Sequence, residues 1–262
     1  MTAATAELAA LLELMQRLRD PASGCPWDRA QTFASIAPHT IEEAYELQDA
    51  ITQAEPRAIA DELGDLLFQV VFHARMAEEQ GWFDFAAVAR GISDKLKRRH
   101  PHVFGDDQLT DLAGLNMQWE QGKRGERAAR GQSGVLAGVP LALPALIRAG
   151  KLGKRAASVG FDWPDASGAR SKLDEELAEF DASVRAGDRA AMEDELGDVL
   201  LSLTSIARHH GIDPEQSLLH ANRKFERRFA AMEQLLAARE GAPEDLSLEQ
   251  WEALWNAAKQ RT

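Results

Sequence analysis

Apolar residues recur at spacings of three and four along most of the chain, which is the period of an amphipathic helix. Sustained alternation of apolar and polar residues, as strands bounded by hairpin turns require, does not occur. Residues that favour helices, such as Ala, Leu, Glu and Arg, are plentiful, whereas β-branched residues are sparse. The pattern predicts an all-α protein with helices over the following ranges: 41–53, 57–80, 85–99, 171–186, 188–209, 214–240 and 248–260.

An internal repeat divides this pattern into two halves. Three motifs recur in the same order: EEAYE and EELAE (42–46 and 175–179), ELGD twice (62–65 and 195–198), and DKLKRR and RKFERR (94–99 and 223–228). The first two motifs keep the same spacing in both copies, and the third follows after a slightly shorter interval in the second copy. Because chance rarely preserves both order and spacing, the motifs indicate a duplication.

The segment between the two copies differs in composition from both of them. Its sequence, WEQGKRGERAARGQSG, is rich in Gly, Arg and Gln and poor in apolar residues, which is typical of a flexible linker. We therefore predict an N-terminal helical-bundle domain at 1–110, a linker at 111–134 and a C-terminal helical-bundle domain at 135–262.

Each copy places acidic residues one turn apart on two successive helices. In the first copy, Thr40 is the predicted N-cap of the helix that carries Glu43 and Glu46, and the next helix carries Glu62 and Asp65. Five apolar residues flank this second pair, and we expect all of them to face a core: Leu63, Leu66, Leu67, Val70 and Val71. The acids are therefore expected at the edge of a buried face, where four carboxylates converge if the helices pack antiparallel.

Such a cluster favours either protonation or a bound cation. Two like charges ~4 Å apart repel by roughly 4 kcal/mol at an effective dielectric constant of 20. Oxygen ligands without His or Cys select a hard cation, which indicates Mg²⁺ with Mn²⁺ as a substitute. Because Mg²⁺ commonly shares its ligand shell with substrate phosphates, the cluster points to phosphate chemistry.

A basic element follows each acidic cluster. Lys and Arg residues stand at positions i, i+3 and i+4 of a predicted helix in both copies: Lys95, Arg98 and Arg99, and Lys224, Arg227 and Arg228. A salt-bridged helix face would explain one such triplet. Its recurrence favours a phosphate clamp, in which Arg donates two hydrogen bonds and Lys supplies a point charge.

Charge and cysteine content exclude several classes of partner. The formal net charge of −12 argues against nucleic-acid binding, which depends on Lys and Arg. No apolar run approaches the roughly 20 residues that cross a bilayer, and the N-terminal segment has the pattern of an amphipathic helix rather than a signal peptide. Cys25 is the only cysteine, which suits a reducing compartment. We expect a cytoplasmic protein without nucleic-acid or membrane partners.

The combined motifs, E-E-x-x-E followed by E-L-G-D and K-x-x-x-R, resemble the MazG family of nucleoside triphosphate pyrophosphohydrolases. The resemblance covers nearly the whole chain, including the tandem layout. It implies two MazG domains, each a helical bundle, and a homodimer. It also implies Mg²⁺-dependent hydrolysis of nucleoside and deoxynucleoside triphosphates to the monophosphate and pyrophosphate, with broad tolerance of bases.

The resemblance also implies roles for individual residues. Metal ligands would be Glu176, Glu179, Glu195 and Asp198 in the second copy and Glu43, Glu46, Glu62 and Asp65 in the first. Nucleotide contacts would be Lys172, Asn222, Lys224, Arg227 and Arg228. Either Glu175 or Asp194 would orient the attacking water. Trp255 would stack on the base, with packing in a core as the alternative.

The two copies differ at the basic element. Asn222 precedes Lys224 in the second copy, as in nucleotide-binding members of the family, whereas Ser93 stands there in the first. We therefore expect the C-terminal copy to carry most of the catalysis. Three other functions stay open: hydrolysis of one nucleotide such as dUTP, a nucleotide- or metal-binding regulatory module without turnover, and a purely structural helical dimer.

Overall fold

The computed structural model describes residues 2–105, 134–237 and 246–261, together with Gly122, Gly125 and Gly131. All the regular secondary structure in these ranges is helical, which confirms the all-α prediction. The chain divides into two compact units, unit 1 (Met1–Gly122) and unit 2 (Lys123–Thr262). The predicted linker at 111–134 lies outside the described residues, apart from some of its glycines.

Unit 1 is built around a helical hairpin. Its described helices are α1 (Ala3–Leu18), α2 (Pro26–Ala30), α3 (Phe33–Gln53), α4 (Pro56–Glu79), α5 (Phe85–Arg99) and α6 (Pro101–Phe104). α3 and α4 pack along each other, and α1 packs on α4. The chain reverses at Ala54, which adopts the left-handed conformation with φ of 56°.

The start of α3 differs from the prediction. Thr32 and Ser35 form a capping box, in which each side chain accepts a hydrogen bond from the other residue's backbone N–H. Thr40 was wrongly predicted as the N-cap, because Pro38 resembles a helix boundary. The helix instead runs through Pro38, and the Thr40 hydroxyl lies 3.1 Å from Nε2 of His73 on α4.

The core of unit 1 lies where α1, α3 and α4 meet. Its buried side chains are Met15, Ile36, Val71, Phe72 and Met76. The expectation that the whole apolar face beside Glu62 is buried was wrong: Leu63, Leu67 and Val70 are 38–50% exposed. α4 carries apolar residues on two faces, and its neighbours within the unit bury only the face that contains Val71 and Phe72.

Unit 2 repeats the hairpin with different neighbours. Its described helices are α7 (Ala145–Ala157), α8 (Ala166–Ala186), α9 (Arg189–His209), α10 (Pro214–Ala237) and α11 (Leu248–Lys259). α8 and α9 form the hairpin, and α7 packs on α9 as α1 packs on α4. The tight turn is made by Gly187, with φ of 68°, and by Asp188, which caps α9. Within the described residues, no helix has both the length and the hydropathy needed to span a bilayer.

We expect Phe72→Ala to lower the free energy of unfolding by about 3–5 kcal/mol, because the ring is fully buried and its removal leaves a cavity. Phe161→Ala is the matched control, since that ring is 81% exposed and its loss should cost less than about 1 kcal/mol. Urea denaturation of both variants measures the difference. Equal losses would contradict the core described here.

Candidate metal centre and its cavity

The hairpin of unit 2 gathers three carboxylates. Glu176 and Glu179 stand one turn apart on α8, and Glu195 faces them from α9. One oxygen of each carboxylate lies within 4.8 Å of the others. Glu176 is buried, with only 4% of the residue exposed. Asp198 follows Glu195 by one turn and lines the cavity described below, next to Glu176.

Lys172 neutralises part of this charge from one turn earlier on α8. Its Nζ donates to Oε1 of Glu175 and lies 2.7 Å from Oε1 of Glu176. The hydrogen bond from Lys172 holds the pKa of Glu176 below its usual value, and the same ion pairs raise the pKa of Lys172. Lys172 therefore favours the ionised form of Glu176.

The two other carboxylates of the cluster resist ionisation. A hydrogen bond with Glu176, followed by burial, raises the pKa of Glu179. Burial, followed by the charges of Glu179 and Glu176, raises the pKa of Glu195. One lysine does not offset this much negative charge, so a cation would stabilise the ionised cluster. All the donors are carboxylate oxygens, a set that fits a hard divalent ion.

Unit 1 gathers an equivalent set, Glu43, Glu62 and Asp65, whose oxygens also lie within 4.8 Å of one another. Burial, followed by the charge of Asp65, raises the pKa of Glu43. Burial, followed by the charge of Glu46, raises the pKa of Glu62. Glu46 is thus close enough to affect Glu62, but it is not one of the three residues whose oxygens lie within 4.8 Å of one another.

When the two copies are aligned on their ELGD motifs, the unit 1 position equivalent to Lys172 is His39. Its Nδ1 lies 3.3 Å from Oε2 of Glu42. Unit 1 therefore places an exposed imidazole where unit 2 places an ammonium group bound to the cluster.

A cavity of about 680 Å³ opens beside the carboxylates of unit 2. Its charged lining residues include Lys172, Glu176 and Asp198. Its wall from α7 consists mainly of small residues: Ala149, Gly150, Gly153 and Ala156. Its wall from α9 consists of Leu201, Ser202, Thr204, Ser205 and Arg208.

Aromatic residues of the loop before α8 form the rim of the cavity. Phe161 is 81% exposed, and Trp163 is also exposed. The Trp163 ring packs against Gly168 so closely that a Cβ there would overlap it, which requires glycine at this position. The lining of the cavity thus includes two exposed aromatic rings.

An ion pair fixes this loop to α9. Arg208 donates from Nη1 to Oδ2 of Asp162 at 2.7 Å and from Nη2 to Oδ1 at 2.5 Å. Nε2 of His209 lies 3.2 Å from Oδ1 of the same carboxylate. The hydrogen bonds from Arg208 hold the pKa of Asp162 below its usual value. Such a bidentate pair fixes the direction of the loop that carries Phe161 and Trp163.

Four apolar residues of the unit 1 core stand at positions where unit 2 has a smaller or a polar residue. With Glu62 aligned to Glu195, the pairs of equivalent positions are Ile36 and Ala169, Val71 and Thr204, Phe72 and Ser205, and Met76 and His209. All four unit 1 side chains belong to its buried core. Of the four unit 2 residues, Thr204 and Ser205 line the cavity, and Phe72, the unit 1 residue equivalent to Ser205, is fully buried in the core.

The predicted nucleotide contacts on α10 lie apart from the described lining of this cavity. Asn222, Lys224 and Arg227 are exposed on α10. The guanidinium carbon of Arg228 lies 5.6 Å from the ring centroid of Trp255. Within the described residues, the structure does not bring these side chains into the cavity that holds Lys172, Glu176 and Asp198.

Trp255 belongs to a second apolar cluster. It packs with Met232, Leu254 and Ala258 between α10 and α11, and its ring centroid lies 5.5 Å from that of Phe225. Of the two candidates for orienting a water, Glu175 is paired with Lys172, and Asp194 is an exposed neighbour that raises the pKa of Glu195.

Sequence reasoning did not identify the cavity residues Phe161, Asp162, Trp163, Ser205 and Arg208. The sequence does contain a signal for Ser205. When the copies are aligned on their ELGD motifs, this small polar residue stands at the position equivalent to Phe72. The loop GFDW carried no comparable signal, since its match to the first copy is loose.

Fold and site together define a class: an all-α protein with a duplicated acidic centre that could hold a metal ion. A family model described as the MazG nucleotide pyrophosphohydrolase domain matches residues 31–104 and 167–231. The chain belongs to the MazG family, as the resemblance implied.

Curated relatives match almost the whole chain. It is 48% identical to the nucleoside triphosphate pyrophosphohydrolase of Escherichia coli (strain K12), over 96% of each chain. It is 41% identical to the nucleoside triphosphate pyrophosphohydrolase/pyrophosphatase MazG of Thermotoga maritima, over 95% of this chain and 94% of the relative. It is also 42% identical to the uncharacterized protein YabN of Bacillus subtilis, over 97% of this chain and 52% of the relative.

We expect Lys172→Met to raise the pKa of Glu176, because the lysine hydrogen bond is the main cause of its depression. Carboxyl ¹³C chemical shifts, followed by NMR against pH without divalent ions, measure this change. Lys151→Met, an exposed position on α7, is the control and should leave the Glu176 pKa unchanged. An unchanged Glu176 pKa in the Lys172 variant would contradict the ion pair.

Proposed function

We propose that this chain is a Mg²⁺-dependent nucleoside triphosphate pyrophosphohydrolase that releases pyrophosphate from nucleoside and deoxynucleoside triphosphates. We place most of its activity in unit 2. Membership of the MazG family supports the reaction, as do the names of the E. coli and T. maritima relatives that the chain covers almost completely.

One observation carries the assignment to unit 2. Glu176 of its carboxylate cluster lines a cavity of about 680 Å³, which is large enough for a small organic ligand because such sites typically measure about 300–1,000 Å³. In unit 1, the position equivalent to the lining residue Ser205 is Phe72, which is fully buried in the core. Both clusters have the donors for a cation, but unit 2 also offers room for a substrate beside them.

In unit 2, Glu176, Glu179, Glu195 and Asp198 would hold the ion. A bound Mg²⁺ would supply positive charge for the triphosphate oxygens and lower the pKa of a coordinated water. Lys172 lines the same cavity and would add a positive charge near the phosphates. Glu175 and Asp194 are the carboxylates nearest in sequence to the ligands, and either would accept a proton from the attacking water.

Lys224 and Arg228 would offset charge on the phosphates, with Asn222 and Arg227 beside them. In the structure these side chains lie on α10 outside the cavity lining, and Arg228 rests on Trp255. Their participation therefore requires α10 to approach the cavity when substrate binds, or to come from a second copy of the chain. The exposed Leu196, Leu200 and Leu203 of α9 are the apolar surface that such a copy would cover in the predicted homodimer.

The chemistry of the cavity supports the proposal of broad tolerance of bases. Its lining is largely apolar, and exposed aromatic rings border its opening. Stacking and apolar contact accept every base, because each base has a π face. Strong selection of one base would require several buried polar groups directed at its edge.

We expect Glu176→Ala to lower Mg²⁺-dependent pyrophosphate release by at least a hundredfold, because it removes the buried ligand of the cluster. Glu43→Ala, the equivalent change in unit 1, should keep at least half of the wild-type rate. Release is measured with the eight common nucleoside and deoxynucleoside triphosphates, with and without Mg²⁺.

The same panel separates the alternatives. Loss in Glu43→Ala with retention in Glu176→Ala would place catalysis in unit 1. Release from one nucleotide far above the rest would identify a restricted phosphohydrolase such as a dUTPase. No release from any nucleotide, with binding intact, would identify a regulatory module.

A further inference from the structure

We propose that Lys172 is an internal cation that contacts Glu176 when no metal is bound and keeps only its contact with Glu175 when a divalent ion binds. Lys172 thereby lowers the affinity of the unit 2 cluster for a free divalent ion, a penalty that the unit 1 cluster does not carry. This inference rests on the proposed function, because it requires the unit 2 cluster to bind the ion. It adds a residue that regulates uptake of the ion at the same centre.

Lys172 contacts two carboxylates that have different surroundings. Its Nζ donates to Oε1 of Glu175 at 2.7 Å and lies 2.7 Å from Oε1 of Glu176. The side chain of Glu176 is only 5% exposed, whereas that of Glu175 is 57% exposed. Glu176 belongs to the three clustered carboxylates of unit 2, and Glu175 does not. The lysine therefore bridges the cluster and a solvated carboxylate outside it.

The ammonium group and a divalent ion compete for the same negative charge. An ion held by the cluster would lie against the carboxylate that Lys172 already contacts, and like charges at such short range repel. Mg²⁺ also demands near-ideal geometry of its oxygen ligands, which leaves little freedom to share one of them. Binding of the ion therefore has to weaken the contact between Lys172 and Glu176.

Glu175 allows this exchange without leaving the lysine unpaired. An ammonium group has three N–H donors on a flexible stem, so it can leave one carboxylate and keep another. The side chain of Lys172 is 36% exposed, which also gives it access to water. Loss of the contact with Glu176 therefore does not bury an isolated positive charge, which would be costly.

Unit 1 contains the exposed pair without the contact to the cluster. His39 and Glu42 stand at the positions equivalent to Lys172 and Glu175, and Nδ1 of His39 lies 3.3 Å from Oε2 of Glu42. Among the described residues, no lysine or arginine forms an ion pair with the three clustered carboxylates of unit 1. The two copies thus differ in whether an ion has to displace a cation that the protein itself supplies.

Mn²⁺ titrations of the full chain, followed by electron paramagnetic resonance without nucleotide at pH 8, test this competition. Every variant also carries Glu43→Ala, which removes a carboxylate of the unit 1 cluster, so that unit 2 is measured alone. We expect Lys172→Met to bind Mn²⁺ about fivefold or more tightly than the parent chain, because the competing charge is gone. Lys172→Arg keeps the charge and should stay within about twofold of the parent affinity.

Arg170→Met is the matched control for the loss of one positive charge. Arg170 lies on the same helix, and its Nη2 pairs with Oδ1 of Asp174 at 2.8 Å, where both side chains are 58% exposed. Its replacement changes the net charge by the same amount but leaves Lys172 on Glu176, so Mn²⁺ affinity should change less than about twofold. An equal gain of affinity in both methionine variants would reduce the effect to net charge and would overturn the inference.

The movement of the lysine has its own measurement. The ¹⁵N NMR signal of the Lys172 ammonium group can be assigned by its absence from Lys172→Arg. We expect saturating Mg²⁺ to shift this signal and to speed its hydrogen exchange, because one of two carboxylate partners is lost. An unchanged signal in the Mg²⁺-saturated protein would show that the ion leaves Lys172 on Glu176, which contradicts the inference.

The Mn²⁺ titrations also separate this inference from the proposed function. If the parent chain and Lys172→Met bind Mn²⁺ with equal affinity, the metal centre stands and only the role of Lys172 fails. If neither chain binds Mn²⁺, the proposed metal centre fails and the inference fails with it. Tighter binding in Lys172→Met, restored to the parent affinity by arginine, supports both.

Discussion

In each unit, two packed helices hold several carboxylates close together. The repulsion among these carboxylates is the constraint on which the rest of the unit depends. The short turn at Gly187 and Asp188 fixes α8 against α9, so Glu176 and Glu195 cannot move apart without opening the hairpin. At ~4 Å, two such charges repel by roughly 4 kcal/mol at an effective dielectric constant of 20. Two features of the structure reduce this repulsion. Lys172 forms an ion pair with Glu176, and the pKa values of Glu179 and Glu195 are raised. A divalent cation relieves the same repulsion more completely.

Duplication has preserved this constraint in both units while the surroundings have diverged. The acidic residues of the hairpins keep their spacing, yet Phe72 and Met76 fill a core in unit 1 where Ser205 and His209 stand in unit 2. A filled core stabilises a domain through burial and packing, whereas an open cavity gives up those contacts. This difference is the reason that we propose unit 2, rather than unit 1, as the ligand site.

Sequence reasoning succeeded where the determinants are local. Helical period and the repeated spacing of the acidic motifs are properties of short segments. They predicted the all-α fold and four converging carboxylates in each copy, of which three have oxygens within 4.8 Å of one another. It failed where the outcome depends on competing or distant groups. α3 begins at the capping box of Thr32 and continues through Pro38, which sequence patterns associate with a helix boundary. Periodicity also does not indicate which of the two apolar faces of α4 packs against another helix. Asp162 and Arg208 lie far apart in the sequence and meet only in the folded unit. A cavity reflects small side chains at positions that could hold larger ones. The sequence indicates this only when the equivalent residues of the two copies are compared.

The central claim is that the carboxylate cluster of unit 2 binds a divalent ion. Anomalous diffraction from crystals of the whole chain grown with millimolar Mn²⁺ tests it most directly. The account predicts an anomalous peak within about 2.0–2.4 Å of carboxylate oxygens of Glu176, Glu179 and Glu195. A cluster without such a peak, in crystals whose Mn²⁺ is ordered elsewhere on the protein, would contradict it.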